Sequence, residues 1–295
     1  MAVYAGPSAH GRRECGAPVI RVPVSRTVDG GGVPLAVVEA GVGGSPLLLV
    51  HGFTGAKEDF TPYFERLAAA GWHVASFDLR GHGESGKPAD PGEYSIERMA
   101  ADALDVVDAL GWRTAVVLGH SLGGMIAQEI ALTFDDRVHG LVLMDTAHGV
   151  FPGLTPELAE LAVAVVHDGG VEGWLAATRE SGVAPNDADR LLRERDPSYE
   201  TWCDDKTRAC APAMIEGMIP AFVRRRDRLA DLSAVRCPTL VMVGEHDAVV
   251  DDARRMAHTI VGAQLAVISG GGHCPQVEAP DAWWDALAGF LAAIA

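Results

Sequence analysis

Apolar residues along the chain gather in short runs, separated by longer stretches where they recur every three or four positions. Six runs stand out, at residues 47–50, 74–77, 115–118, 141–144, 240–243 and 265–268. Flanked by Gly and Asp, runs of this length suit strands buried on both faces. Their alternation with helical patterns predicts an α/β protein built on a mostly parallel sheet flanked by helices. Two earlier strands are expected at 19–24 and 35–38, joined through Gly30, Gly31 and Gly32, which makes eight strands in all. Pro23 cannot donate to a ladder, so the first of these is read as an edge strand. Between the runs, residues 59–70 place Phe60, Phe64 and Leu67 on one helical stripe. Residues 96–110 follow Ser95 as a cap and stop at Gly111, and Leu122, Ile126, Ile130 and Phe134 fall every fourth position.

The rhythm breaks between Asp145 and Pro238, where helical segments at 156–166, 171–179, 187–195 and 211–226 follow one another without a buried strand. Pro220 is expected to kink or split the last of them. A structureless stretch of this length is improbable in a compact domain, so it reads as a helical cap inserted after the sixth strand. The expected division is a loose leader over 1–18, a core of 19–147 with 236–295, and a cap over 148–235.

Charge and composition remove several classes of function. With 24 Lys and Arg against 40 Asp and Glu, the net charge of −16 opposes phosphate backbones and anionic lipid. Nucleic-acid binding and a polybasic membrane anchor are therefore not expected. No apolar stretch approaches the roughly 20 residues that span a bilayer, and the leader lacks the apolar segment of a secretory signal, so a cytoplasmic protein is expected. Five cysteines without a C-x-x-C pair form neither a disulfide framework nor a zinc site, and reduced thiols are expected. A small-molecule substrate is the expected partner, with a homodimer left open.

Chemistry concentrates where predicted strands end. Gly119-His120-Ser121-Leu122-Gly123, backed by Gly124, follows one apolar run and opens a helical pattern. A side chain on so tight a turn projects from the sheet, which presents Ser121 as a nucleophile at the positive end of a helix. A serine hydroxyl needs a base, and the base needs an orienting carboxylate. Gly244-Glu245-His246-Asp247 and Gly272-His273 both lie just past later strands, supplying Asp247 and His273 in that order. Asp145, at the end of another strand, is the alternative acid. His51-Gly52-Phe53 follows the run 47–50, so the N–H of Phe53 and that of Leu122 are candidates for an oxyanion hole, and His51 reads as structural.

These motifs, together with Asp78-Leu79-Arg80-Gly81-His82-Gly83-Glu84-Ser85, resemble the α/β-hydrolase fold family in sequence and order, from about residue 19 to the C-terminus. The resemblance implies a serine hydrolase that cleaves a carboxylic ester or lactone through an acyl-enzyme, with no metal or organic cofactor. Its epoxide hydrolase and haloalkane dehalogenase branches use an aspartate where this chain has Ser121. Alternatives within the fold are C–C hydrolysis, perhydrolysis, a ligand-binding receptor, or a lyase. His51 to Gly55 with Lys57 to Phe60 is similar to the lyase that makes succinyl-hydroxycyclohexadiene carboxylate in menaquinone synthesis. That lyase carries an arginine after its elbow where this chain has Met125, Ile126 and Ala127, although Arg80 and the cap arginines keep the reading open.

For the substrate pocket, expected to be apolar and neutral, the candidates are Met214, Met218 and Phe222 at i, i+4, i+8, with Trp174, Trp202 and Leu154. Arg224, Arg225, Arg226 and Arg228 are expected to fan over a solvated surface and meet Asp227 and Asp231. Cys274, next to the candidate base, is read as structural.

Overall fold

A computed structural model describes residues 23–180 and 187–295. Eight strands form one sheet in the order β1-β2-β4-β3-β5-β6-β7-β8: β1 (Val24–Gly30), β2 (Val33–Ala40), β3 (Ser45–Val50), β4 (Trp72–Phe77), β5 (Ala115–His120), β6 (Val138–Met144), β7 (Thr239–Gly244) and β8 (Gln264–Ile268). Only β1 with β2 and β2 with β4 pair antiparallel; the other pairs are parallel. The first strand thus begins where the sequence reading ended it. Of the expected strand at 19–24, residues 19–22 lie outside the described residues, as does the leader. Pro23 stands just before β1, so the ladder never has to accommodate it.

Period-two alternation divides the central strands between two cores. Leu48, Val50, Val117, Leu141 and Val243 face one side, while Leu47, Leu49, Val116, Val142 and Met242 face the other. The first face is covered by α2 (Ile96–Ala109), α3 (Leu122–Thr133) and α8 (Val250–Thr259). The second is covered by α1 (Phe64–Ala69) and α9 (Pro280–Ile294), which bury Phe60, Phe64 and Leu67 against Trp283 and Leu287. The expected helix 59–70 is split into a 3-10 segment, Lys57–Tyr63, and α1, because Pro62 supplies no N–H for a continuous ladder. Ser95 caps α2 as expected, its hydroxyl accepting from the N–H of Arg98 at 3.1 Å. The run in β8 is not buried on both faces: β8 is a sheet edge, and Leu265 and Val267 are each 42% exposed.

Between β6 and β7 the described residues form α4 (Pro156–Glu180), α5 (Asp187–Arg195), α6 (Pro197–Arg208) and α7 (Pro212–Arg224), a helical cap over the strand ends. Two expected segments merge into α4 across a break at Gly170, whose φ of 60° falls in the region that favours glycine. α6 has no counterpart in the sequence reading. Its residues are mostly polar, and the signal that marks it is Asp196, which caps the N–H of Ser198, followed by Pro197 at the first helical position. Pro220 lies inside α7 without splitting it, since only one turn follows it.

Candidate active site

Four chain segments that leave the carboxyl ends of β3, β5, β6 and β8 converge on one cavity of about 760 Å³ under the cap. Ser121 stands between β5 and α3 with φ 54° and ψ −113°, a strained conformation for a residue with a Cβ. The turn is possible because Gly119 and Gly123, two positions to either side, have no side chains. A Cβ on Gly119 would lie 2.0 Å from the carbonyl oxygen of Gly123, and one on Gly123 would lie 2.1 Å from that of Val50. Leu122 opens α3, where a helix N–H has no intrahelical acceptor. The N–H of Phe53 likewise has no acceptor among the described residues.

After β7 and β8, Asp247 and His273 meet: Nδ1 of His273 lies 2.7 Å from Oδ2 of Asp247. Burial alone would raise the pKa of Asp247, but the hydrogen bond and charge of His273 outweigh it and the carboxyl falls to about 2. The same pairing raises His273 above its usual value against the opposing effect of burial. Ser121 and His273 line the same cavity, and Phe151 sets its ring edge-on to that of His273 at 5.6 Å between centroids.

Asp145, the alternative acid, is directed elsewhere. It is fully buried, its Oδ1 accepts from the N–H of Gly244 at 2.8 Å, and burial followed by the charge of Asp247 pushes its carboxyl well upward. Among the described residues the carboxylate that His273 meets is that of Asp247.

The segment before Phe53 is tied down by two buried imidazoles. His51 donates from Nδ1 to the carbonyl of Gly52 at 2.8 Å and accepts from the N–H of Leu79 at Nε2, consistent with its structural reading. His82 donates from Nε2 to the carbonyl of Phe53 at 2.6 Å. Burial holds His82 down to about 4, so it stays neutral.

The sequence model of the alpha/beta hydrolase fold family matches residues 45–280. The chain belongs to this family. Among relatives, the hydrolase is 30% identical over 259 residues to a protein from Azorhizobium caulinodans named for carbamate hydrolysis, RutD, covering 85% of this chain and 92% of that one. It is 39% identical over 117 residues to epoxide hydrolase A of Mycobacterium tuberculosis, but that match spans only 39% of this chain and 36% of the relative. Among solved structures, a thermophilic esterase from Thermogutta terrifontis superposes with a TM-score of 0.74 at 29% identity, over 93% of this chain and 98% of that one.

The cap of this hydrolase redistributes the expected pocket residues. Trp174, Phe222 and Leu154 line the cavity, and Phe53 meets both rings edge-on, with centroids 6.3 Å from Trp174 and 5.2 Å from Phe222. Met214 and Met218 do not line it; they are fully buried in the core, with Met214 packed over Gly81. Trp202 is also absent from the wall, its ring lying under the ammonium of Lys206 at 3.5 Å.

Two charge readings need correction as well. Arg225 does not fan into solvent: it is half-buried, donating to the carbonyls of Ala147 and Gly149 and to Oε1 of Gln128. Asp227 pairs with His148, while Arg226 and Arg228 meet Asp231. Arg80 is spent on Asp102 through two 2.6 Å hydrogen bonds and is 1% exposed, so it cannot hold an acidic substrate.

The cavity is also not uniformly apolar. Asp59 and Lys206 both line it and are paired at 2.7 Å, and Glu278 accepts from the N–H groups of Gly272 and Cys274, bracing the His273 loop. Cys274 lines the wall with its thiol pushed well upward by burial, which suits a packing role. Asp59 lay in view within Lys57 to Phe60, but nothing local in the sequence joins it to Lys206, 147 positions away.

Proposed function

We propose that the protein is a serine hydrolase that cleaves a carboxylic ester or lactone of a small, largely apolar molecule through an acyl-enzyme. The observation that carries this reading is His273, paired with Asp247 at 2.7 Å, sharing one cavity with Ser121 on its strained turn. In this reading His273 takes the proton of Ser121, whose alkoxide attacks the carbonyl. The oxyanion then rests on the N–H groups of Phe53 and Leu122, and His273 returns the proton to the leaving alcohol. A water activated by the same imidazole releases the acid. The family's esterase members and the aromatic wall of Phe53, Trp174 and Phe222 support the choice of substrate.

Carbamate cleavage is the second reading. It uses the same acyl transfer, and it is favoured by the end-to-end likeness to the relative named for that reaction. Both readings meet one test. A fluorophosphonate probe labels Ser121 of the wild type and not Ser121→Ala, and kcat for p-nitrophenyl butyrate falls by about 10⁴ to 10⁶ in that variant with folding intact. Turnover that survives in a clean Ser121→Ala preparation removes the serine from the mechanism.

A further inference from the structure

Among the ion pairs in the cavity wall that the acyl-transfer steps do not use, one joins core to cap. Asp59, 6% exposed, comes from the 3-10 segment after β3; Lys206, 9% exposed, comes from α6 of the cap. Their 2.7 Å contact crosses from core to cap beside the Phe53 loop. Burying two charges is costly, and a pair of apolar side chains would join cap to core at least as well. An ammonium carries three donors. Among the described residues the Lys206 ammonium meets one carboxylate oxygen of Asp59 and the ring of Trp202, which leaves a donor for whatever occupies the cavity it lines.

The rest of the wall narrows the kind of group that donor would meet. Arg179 and Arg193 also border the cavity, but each is already held by an acid, Asp204 and Asp189 respectively. Carboxylates outnumber cations among the described lining residues, so an anionic group entering here meets more repulsion than attraction. A neutral acceptor keeps the Asp59–Lys206 pair intact and adds a charge-assisted hydrogen bond to it.

We propose that Lys206, held by Asp59, forms a polar subsite that hydrogen-bonds an uncharged oxygen of the substrate, a carbonyl away from the scissile bond, so that the preferred substrates are oxo-substituted esters or lactones. This rests on the ester hydrolase reading and deepens it. The subsite sets selectivity by rejecting the analogue that lacks the oxygen, since an unanswered buried donor costs more than a lost apolar contact. Burial favours a neutral amine here, yet the carboxylate of Asp59 outweighs it and raises Lys206, so the ammonium persists through neutral pH.

The test compares each oxo ester with its methyl isostere. On the acyl side the pairs are p-nitrophenyl 4-oxopentanoate against 4-methylpentanoate and 5-oxohexanoate against 5-methylhexanoate. On the alcohol side the pair is 2-oxopropyl against 2-methylpropyl butyrate. In the wild type at least one oxo ester is expected to exceed its isostere in kcat/KM by about tenfold or more. That ratio is expected to collapse towards one in Lys206→Met. Because a lone buried carboxylate endangers folding, the double variant Asp59→Leu/Lys206→Met, which removes both charges, is measured beside it. A merely structural latch would lower both members of a pair equally and leave the ratio unchanged, which would overturn the proposal. A wild type that prefers no oxo ester would overturn it too, as would one that prefers a succinate monoester through Lys206. If no ester is cleaved, the ester hydrolase reading fails separately, and calorimetric binding of N-methyl 4-oxopentanamide against N-methyl 4-methylpentanamide still decides the subsite.

Discussion

On the sheet side of the cavity, backbone places the chemistry: Ser121, Asp247, His273 and Phe53 each stand a few residues past the end of a parallel strand, and strand register fixes their spacing. On the cap side, side chains place it. Trp174, Phe222 and Lys206 come from three helices whose positions depend on packing against one another and on contacts such as Phe53–Phe222 and Asp59–Lys206. A strand end can be displaced only by disturbing a ladder shared with its neighbours, whereas a helix face can turn slightly and exchange one lining residue for the next. The sheet side is thus suited to a fixed reaction, and the cap side to a substrate that differs between relatives.

The largest effect that bears on this contrast separates two carboxylates on the sheet side. Asp247→Asn is expected to lower kcat/KM by roughly 10⁴, because the amide no longer steadies the imidazolium or selects its tautomer. Asp145 does not bond the histidine and its carboxyl is pushed upward by burial and the charge of Asp247; Asp145→Asn keeps an oxygen that accepts from the N–H of Gly244, so a loss of less than about tenfold is expected. Steady-state kinetics on one ester decides the matter, and a larger loss in Asp145→Asn would move the histidine's partner to β6.

The same contrast governs what could be read from the chain. The strand runs, the elbow and the order Ser121, Asp247, His273 were legible because a parallel sheet converts local pattern into position. β8 was misjudged because an edge strand carries the same apolar letters as a central one; only its missing neighbour exposes Leu265 and Val267. In the cap, the i, i+4, i+8 spacing correctly put Met214, Met218 and Phe222 on one stripe of α7, but a straight stripe over a curved surface meets several partners. Its first part packs over Gly81 and its end reaches Phe53. The inward hydrogen bonds of Arg225 and the Asp59–Lys206 pair depend on contacts far apart in sequence, which no local periodicity encodes.

That split along α7 gives the next test. Met214→Ala is expected to cost about 2–5 kcal/mol of stability through the cavity it leaves, with the ranking of esters by chain length unchanged. Phe222→Ala enlarges the cavity instead, and is expected to shift the preferred acyl chain upward by one or two carbons at a smaller stability cost, since that ring is only partly buried. Thermal unfolding and a chain-length series, run on both variants, separate the two roles. If Met214→Ala changed the chain-length profile as much as Phe222→Ala did, the assignment of that face to the core would be wrong.

The smallest expected effect is a displacement on the pH axis, and it probes how the sheet side tunes its base. His273 acts as a base only when neutral, so activity falls as pH drops through its pKa, tenfold per unit below it. Asp247 bonds the imidazole and Glu278 adds a second negative field, and both raise that pKa. The acid limb of kcat/KM is therefore expected to have a midpoint above the ordinary histidine value of about 6.5. Asp247, lowered to about 2, contributes no limb of its own in this range. His120 lies with its ring tilted 5.0 Å from that of His273 but is held neutral at about 3 by burial, so it adds no charge to oppose the shift. Glu278→Gln preserves an oxygen to accept from Gly272 and Cys274 while removing a charge whose sign favours imidazolium, so the midpoint moves down in pH while the plateau rate changes little. A plateau that collapses with the midpoint fixed would mean that Glu278 serves only to brace the loop, and a wild-type midpoint below about 6.5 would mean that burial, not Asp247, dominates the base.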